Sequence, residues 1–128
     1  MDTAQALADL TEISSQVEAA VLVDEGGELA GSTLADERAG RALAVAAGEL
    51  LARAGSLGEG GEVAQVEAST PDGSVFVVRE GARRIAATTG PDPTVGLVFY
   101  DLKSCLRDLE ANAKPKRRRA PKKAGDEA

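Results

Sequence analysis

Leu7, Leu10, Ile13 and Val17 recur at steps of three and four residues. An α-helix returns the same face to its core at that period, so the spacing predicts an amphipathic first helix. From Ala19 the rhythm changes. AAVLVD, then EGG, then ELAGS predicts two strands joined by a tight glycine turn. Thr33 and Asp36 fit a capping box, with a hydroxyl and a carboxylate serving the orphan amides of a starting helix. That second helix is expected from about Leu34 to Ala54, with Gly55 as its left-handed cap. Gly58, Gly60 and Gly61 follow as a turn.

Three strand-like runs come next: EVAQVEAS (62–69), SVFVVRE (74–80) and ARRIAATT (82–89). TPDG at 70–73 is a strong turn signal, and Gly81 supplies a tight turn between the second and third runs. GPDP at 90–93 ends the last strand, and Asp92 or Thr94 can cap a third helix. Val95, Val98, Phe99, Leu102, Leu106 and Leu109 form an apolar stripe of helical period along it, with Cys105 at its border. The expected order is helix, strand, strand, helix, strand, strand, strand, helix. Helices can then cover both faces of one mostly antiparallel sheet, a three-layer α/β domain.

Charge divides the chain. Lys114, Lys116, Arg117, Arg118, Arg119, Lys122 and Lys123 face only Asp126 and Glu127 within residues 114–128, a net of +5. The total of −6 therefore leaves −11 on residues 1–113. The expected organisation is one domain over 1–112 and a disordered basic tail over 113–128, because KPKRRRAPKK has nothing to bury. Such a tail can contact an anionic surface, whether nucleic acid, lipid or the acidic body itself.

Only Phe76, Phe99 and Tyr100 are aromatic, so Ala, Val and Leu must build the core. Cys105 is the single cysteine, and no disulfide can form within the chain. A lone thiol, an amino terminus unlike a signal peptide and the lack of a long apolar run together predict a cytoplasmic setting. Histidine is missing entirely, which removes histidine-based triads, dyads and metal sites. GSLGEGGE at 55–62 lacks the GK[ST] ending of a phosphate loop, and Glu59 and Glu62 would repel phosphate. No catalytic residue, metal or cofactor is expected. The chain reads as a binding module, not an enzyme.

AAVLVDEGGELAGS (19–32), the alanine-rich helix 34–54 and TTGPDPTVGLVFYDL (88–102) resemble the roadblock/dynein-light-chain family. The likeness extends over about residues 4–110. It implies a roadblock-type, profilin-like domain: a five-stranded sheet of order 2-1-5-4-3, one long helix on one face and two on the other. It also implies dimers, with itself or a related roadblock protein, in which third strands pair and second helices lie side by side. Many bacterial members regulate small Ras-like GTPases, so the leading expectation is a non-enzymatic dimeric regulator or adaptor of such a GTPase. Alternatives are a dimeric scaffold without a GTPase partner, or a tail-mediated binder of nucleic acid or anionic membrane.

The residues themselves also favour a dimer. On a helical wheel Leu43, Ala47, Leu50 and Ala54 make an apolar face for the sheet. Gly40, Ala44, Gly48 and Ala52 make a flanking ridge of small residues, with Val45 beyond it. A helix apolar almost all round is usually buried on more than one side. The candidate dimer interface is thus Gly40, Ala44, Val45, Gly48 and Ala52, together with Val63, Gln65 and Glu67 on the edge strand. Candidate partner-binding residues are Arg38, Arg41 and Arg53. An arginine finger is conceivable from these or from Arg83 and Arg84, with no spacing that favours one of them.

Overall fold

The computed structural model describes residues 2–57 and 64–119, with residues 110–119 described by backbone alone. The elements run α1 (Thr3–Ile13), β1 (Val17–Val23), β2 (Leu29–Ser32), α2 (Glu37–Gly55), β3 (Gln65–Thr70), β4 (Gly73–Glu80), β5 (Arg83–Thr89) and α3 (Val95–Arg119). The five strands form one antiparallel sheet of order β2-β1-β5-β4-β3. Order and strand count match the expectation.

Alternation along the strands sends side chains to two separate cores. Ala20, Leu22, Phe76, Val78, Ile85 and Ala87 point to the face covered by α1 and α3, where they meet Leu7, Leu10, Val98, Leu102 and Leu106. Val21, Val77 and Ala86 point to the other face, where Ala47 and Leu51 of α2 cover them. A strand covered on both sides reads as a continuous apolar run, which is why β1 and β4 show no polar alternation at their centres. Phe76 is fully buried and meets Phe99 edge-to-face, ring centroids 5.0 Å apart. With so few aromatics, this pair is the bulkiest piece of the core.

The connections follow their turn chemistry. Asp24 Oδ1 accepts from the amides of Gly26 (2.9 Å) and Glu28 (3.0 Å), so its carboxylate shapes the β1–β2 turn. The β4–β5 hairpin turns on Gly81 and Ala82. Gly81 has φ 61°, the positive value that the first central position of a type II′ turn requires.

Several expectations need correction. Val17 belongs to β1 and not to the first helix, which stops at Ile13. Its apolar spacing fits either element, and the strand wins because Val17 pairs with Thr89. Ile13 is 72% exposed, outside the core it was expected to join. Val95 likewise lies exposed at the start of α3. Thr33 does not open α2. Its hydroxyl accepts from Ala20 N–H (2.9 Å) and its own N–H donates to Ala20 O, so it extends the β1–β2 pairing. Asp36 alone caps the helix, through the Arg38 amide at 3.0 Å. Gly55 is the last helical residue and not a left-handed cap; Ser56 closes α2 in a right-handed conformation.

At the far end, the helical backbone of α3 continues past Asn112 to Arg119, into the first part of the expected basic tail. Ala, Lys and Arg are strong helix formers, which favours continuation, although Pro115 removes one backbone donor. The remainder of the expected tail, 120–128, lies outside the described residues. Among the described residues, no helix is long and apolar enough to cross a membrane.

Candidate partner-binding surface

α2 is the element whose sequence departs most from a one-sided surface helix. Its inner side is buried at Gly40, Ala47 and Leu51, with Leu43, Ala44 and Leu50 half-buried against the sheet. Its outer side exposes Ala42, Val45, Ala46 and Ala52 between the charged residues Arg38, Arg41, Glu49 and Arg53. Val45 is 63% exposed. An exposed branched aliphatic flanked by alanines is apolar surface with nothing over it.

The expected ridge is split. Residues four apart on a helix advance by 400°, a drift of about 40° per step, so a four-member ridge winds around the axis. Gly40 starts it on the inside: a Cβ there would lie 2.9 Å from Ser32 Oγ and 3.4 Å from Leu29 Cδ2. Its missing side chain lets α2 approach β2 of the same chain. Gly48 is half-buried, with the Arg84 guanidinium 3.4 Å from where its Cβ would be. Only Ala52 and the neighbouring Val45 face outward. Gly40 thus packs within its own protomer, and Ala44 and Gly48 are half-buried beside the exposed Ala52 and Val45.

At the opposite edge, β3 pairs with β4 and with no other strand among the described residues. Its outer backbone groups face no strand, which leaves an edge able to accept another. Gln65 is exposed and Glu67 half-buried, its carboxylate accepting from the Ser69 hydroxyl. Val63 lies outside the described residues. The second edge of the sheet, β2, has only four residues and is flanked by α1 and α2.

The candidate arginines are not gathered at one point. Arg41 pairs with Glu37 at 2.7 Å in an exposed i,i+4 bridge, a contact worth about 0.3–0.5 kcal/mol. Arg38 is in the same first turns, whereas Arg53 sits in the last turn, roughly 20 Å along the axis. Of the basic tail residues, Lys114, Lys116, Arg117, Arg118 and Arg119 lie on the helical backbone of α3, and Lys122 and Lys123 lie outside the described residues.

Among the described residues, no group of three or more acidic or cysteine side chains could hold a metal ion. Cys105 is buried, its thiol donating to Ala6 O at 3.6 Å. Burial, then the Asp108 and Asp9 carboxylates, push the thiol up to about 11. The neutral thiol is a poor nucleophile.

By sequence, the chain matches no protein-family model and no curated protein. Solved structures do match. A Roadblock/LC7 domain from Streptomyces avermitilis superposes with a TM-score of 0.76 at 19% identity, covering 88% of this chain and 98% of that one. Myxococcus xanthus MglB gives 0.63 at 18% identity, over 85% and 94% of the two chains. A chain from a complex of LokiProfilin2 with rabbit actin gives 0.61 at 14% identity, over 85% and 97%.

The fold is that of a roadblock/LC7 domain.

Within this roadblock fold the α2 surface carries one further feature. Val23, Gly27, Leu29, Arg41, Val45 and Arg84 line a recess of about 280 Å³ beside α2. Arg84 is half-buried there, and it pairs in register with Arg79 on the same sheet face. A signal was available. Arg83 and Arg84 are consecutive in a strand, so one of them must point toward α2, and Gly48 leaves it room.

Proposed function

We propose that this chain is a non-enzymatic, cytoplasmic, dimeric regulator or adaptor of a small Ras-like GTPase. The observation that carries the proposal is the exposed apolar strip of α2, centred on Val45, on a roadblock fold whose β3 edge faces no strand. Two copies placing α2 beside α2 and β3 beside β3 would cover both features at once, extending the sheet across the dimer. The resemblance of 19–32 and 88–102 to the roadblock family supports the same assembly and supplies the GTPase as partner class.

In this reading the protein supplies no chemistry to the nucleotide. It acts by binding one nucleotide state of its partner more tightly than the other, which shifts the population of the GTPase switch loops. In this reading Arg38 and Arg41 at the start of α2, with Arg84 in the recess beside Arg41, would meet partner carboxylates or phosphates.

The test is capture from the native lysate on immobilised full-length protein, run with a non-hydrolysable GTP analogue and again with GDP. A small GTPase retained in one state only is the expected result. Capture that ignores the nucleotide would replace the regulator with a scaffold.

A further inference from the structure

On the sheet face opposite α2, a groove of about 240 Å³ runs between α1 and α3. Leu10 and Cys105 form its floor, and Ile13 and Tyr100, 72% and 66% exposed, form its rims. Asp9, Asp101 and Asp108 border it. Asp101 is the informative member. It is only 7% exposed, lines the groove, and receives no hydrogen bond or ion pair from any described residue. Its carboxylate oxygens keep contact with solvent at the groove, so they are open to a cation that enters it.

Apolar walls that close on a carboxylate suit one kind of side chain: a long cation with an apolar stem. Arginine can lay its methylenes along Leu10 and Ile13 and present its guanidinium to Asp101. The face of the Tyr100 ring offers a cation–π contact to the same group. A metal ion is a poorer occupant, because the described residues assemble no ligand set for one.

The chain itself carries an arginine-rich segment, KPKRRRAPKK at 114–123, against an acidic remainder. α3 is helical to Arg119, which puts Lys116 about 22 Å along the axis from Asp101. A helix cannot double back into a groove of which it forms one wall. A second copy is under no such restraint. We propose that the basic segment 114–123 of one copy docks in the α1–α3 groove of a second copy, with an arginine reaching Asp101. The contact uses the sheet face away from α2, so it is compatible with pairing through α2 and joins paired copies into a larger, salt-sensitive assembly. It stands independently of any GTPase partner.

The direct test titrates isotope-labelled full-length protein, at micromolar concentration, with a peptide of residues 113–124. Saturable amide shifts are expected at Leu10, Ile13 and 100–105, with affinity at least tenfold weaker for Asp101→Asn and in 0.5 M salt. Tyr100→Ala, at an exposed position, should weaken binding several-fold while leaving the spectrum folded. Shifts confined to α2 or β3, or equal affinity for wild type and Asp101→Asn, would overturn the assignment. In parallel, light scattering of the full chain at low salt should give a mass above the dimer. Replacing Arg117, Arg118 and Arg119 with Gln should return that mass to the dimer. Peptide binding without any tail-dependent mass would mean the groove serves a basic segment of another protein, and would equally overturn docking of a second copy.

Discussion

Gly40 and Gly48 occupy the same helix eight residues apart, and substituting each with alanine should move stability in opposite directions. Both lie inside α2, where alanine is favoured over glycine by about 0.8–1.0 kcal/mol. At Gly48 the nearest atom to an added methyl is Arg84 Nη1 at 3.4 Å, the tip of a flexible side chain that can give by a few tenths of an ångström. Most of the helix-propensity gain should survive. Gly48→Ala is therefore expected to stabilise by about 0.5–1 kcal/mol, raising Tm by roughly 2–8 °C for a domain of this size.

At Gly40 the added methyl meets Ser32 Oγ at 2.9 Å and Ser32 Cβ at 3.3 Å. Ser32 cannot simply rotate away, because its hydroxyl accepts from the Leu34 amide at 3.0 Å. Losing that bond costs about 0.5–1.5 kcal/mol, and overpacking adds about 1–3 kcal/mol. These outweigh the propensity gain, so Gly40→Ala should destabilise by about 1–3 kcal/mol. Urea unfolding of both variants, with the m-value checked for constancy, measures the difference. Equal stabilisation by the two substitutions would refute the close approach of α2 to β2. The same pair also probes assembly. Gly40 packs against β2 of its own protomer, so Gly40→Ala should leave the assembly mass unchanged, whereas a loss of mass for Gly48→Ala would place Gly48 in the interface.

Other expectations follow from the same geometry. Phe76→Ala removes the largest fully buried side chain and its edge-to-face contact, and should cost about 3–5 kcal/mol in denaturant unfolding. Gly73→Ala should also destabilise strongly, because Gly73 has φ 155° and its Cβ would collide with the Thr89 carbonyl. Asp36→Ala removes the α2 cap and should cost about 1 kcal/mol. The Cys105 thiol is raised from 9.0 to about 11 in the fold, so the unfolded chain loses its proton first. The contribution from Cys105 should be constant below about pH 9 and fall as pH rises from there toward 11, a loss that Cys105→Ser should abolish.

Element order was legible because each segment carries its own period. Steps of three and four mark α1 and α3, and glycine-bounded apolar runs mark the strands. The sheet order came from family resemblance, since strand pairing is non-local and no single segment encodes it. Boundaries failed where one residue satisfies two patterns. Val17 continues the helical spacing of Leu7 and Leu10, yet its partner is Thr89, seventy-two residues on. Thr33 looks like a helix cap, but its hydroxyl serves Ala20 across the β1–β2 pair. Four-residue spacing winds around a helix, so along the α2 ridge Gly40 faces β2 while Ala52 faces outward. Asp101 was illegible as a site residue, because its burial beside the α1–α3 groove is a tertiary fact.

The proposed regulator or adaptor depends on self-association through the outer face of α2. Sedimentation velocity of the wild-type protein and Val45→Glu, in 0.5 M salt to suppress contacts made by the basic segment, tests it most directly. A charge at a 63% exposed position should leave the protomer folded, with an unchanged m-value. The account predicts a wild-type dimer and a Val45→Glu monomer. A wild type that sediments as a monomer, or a Val45→Glu dimer as tight as wild type, would contradict it.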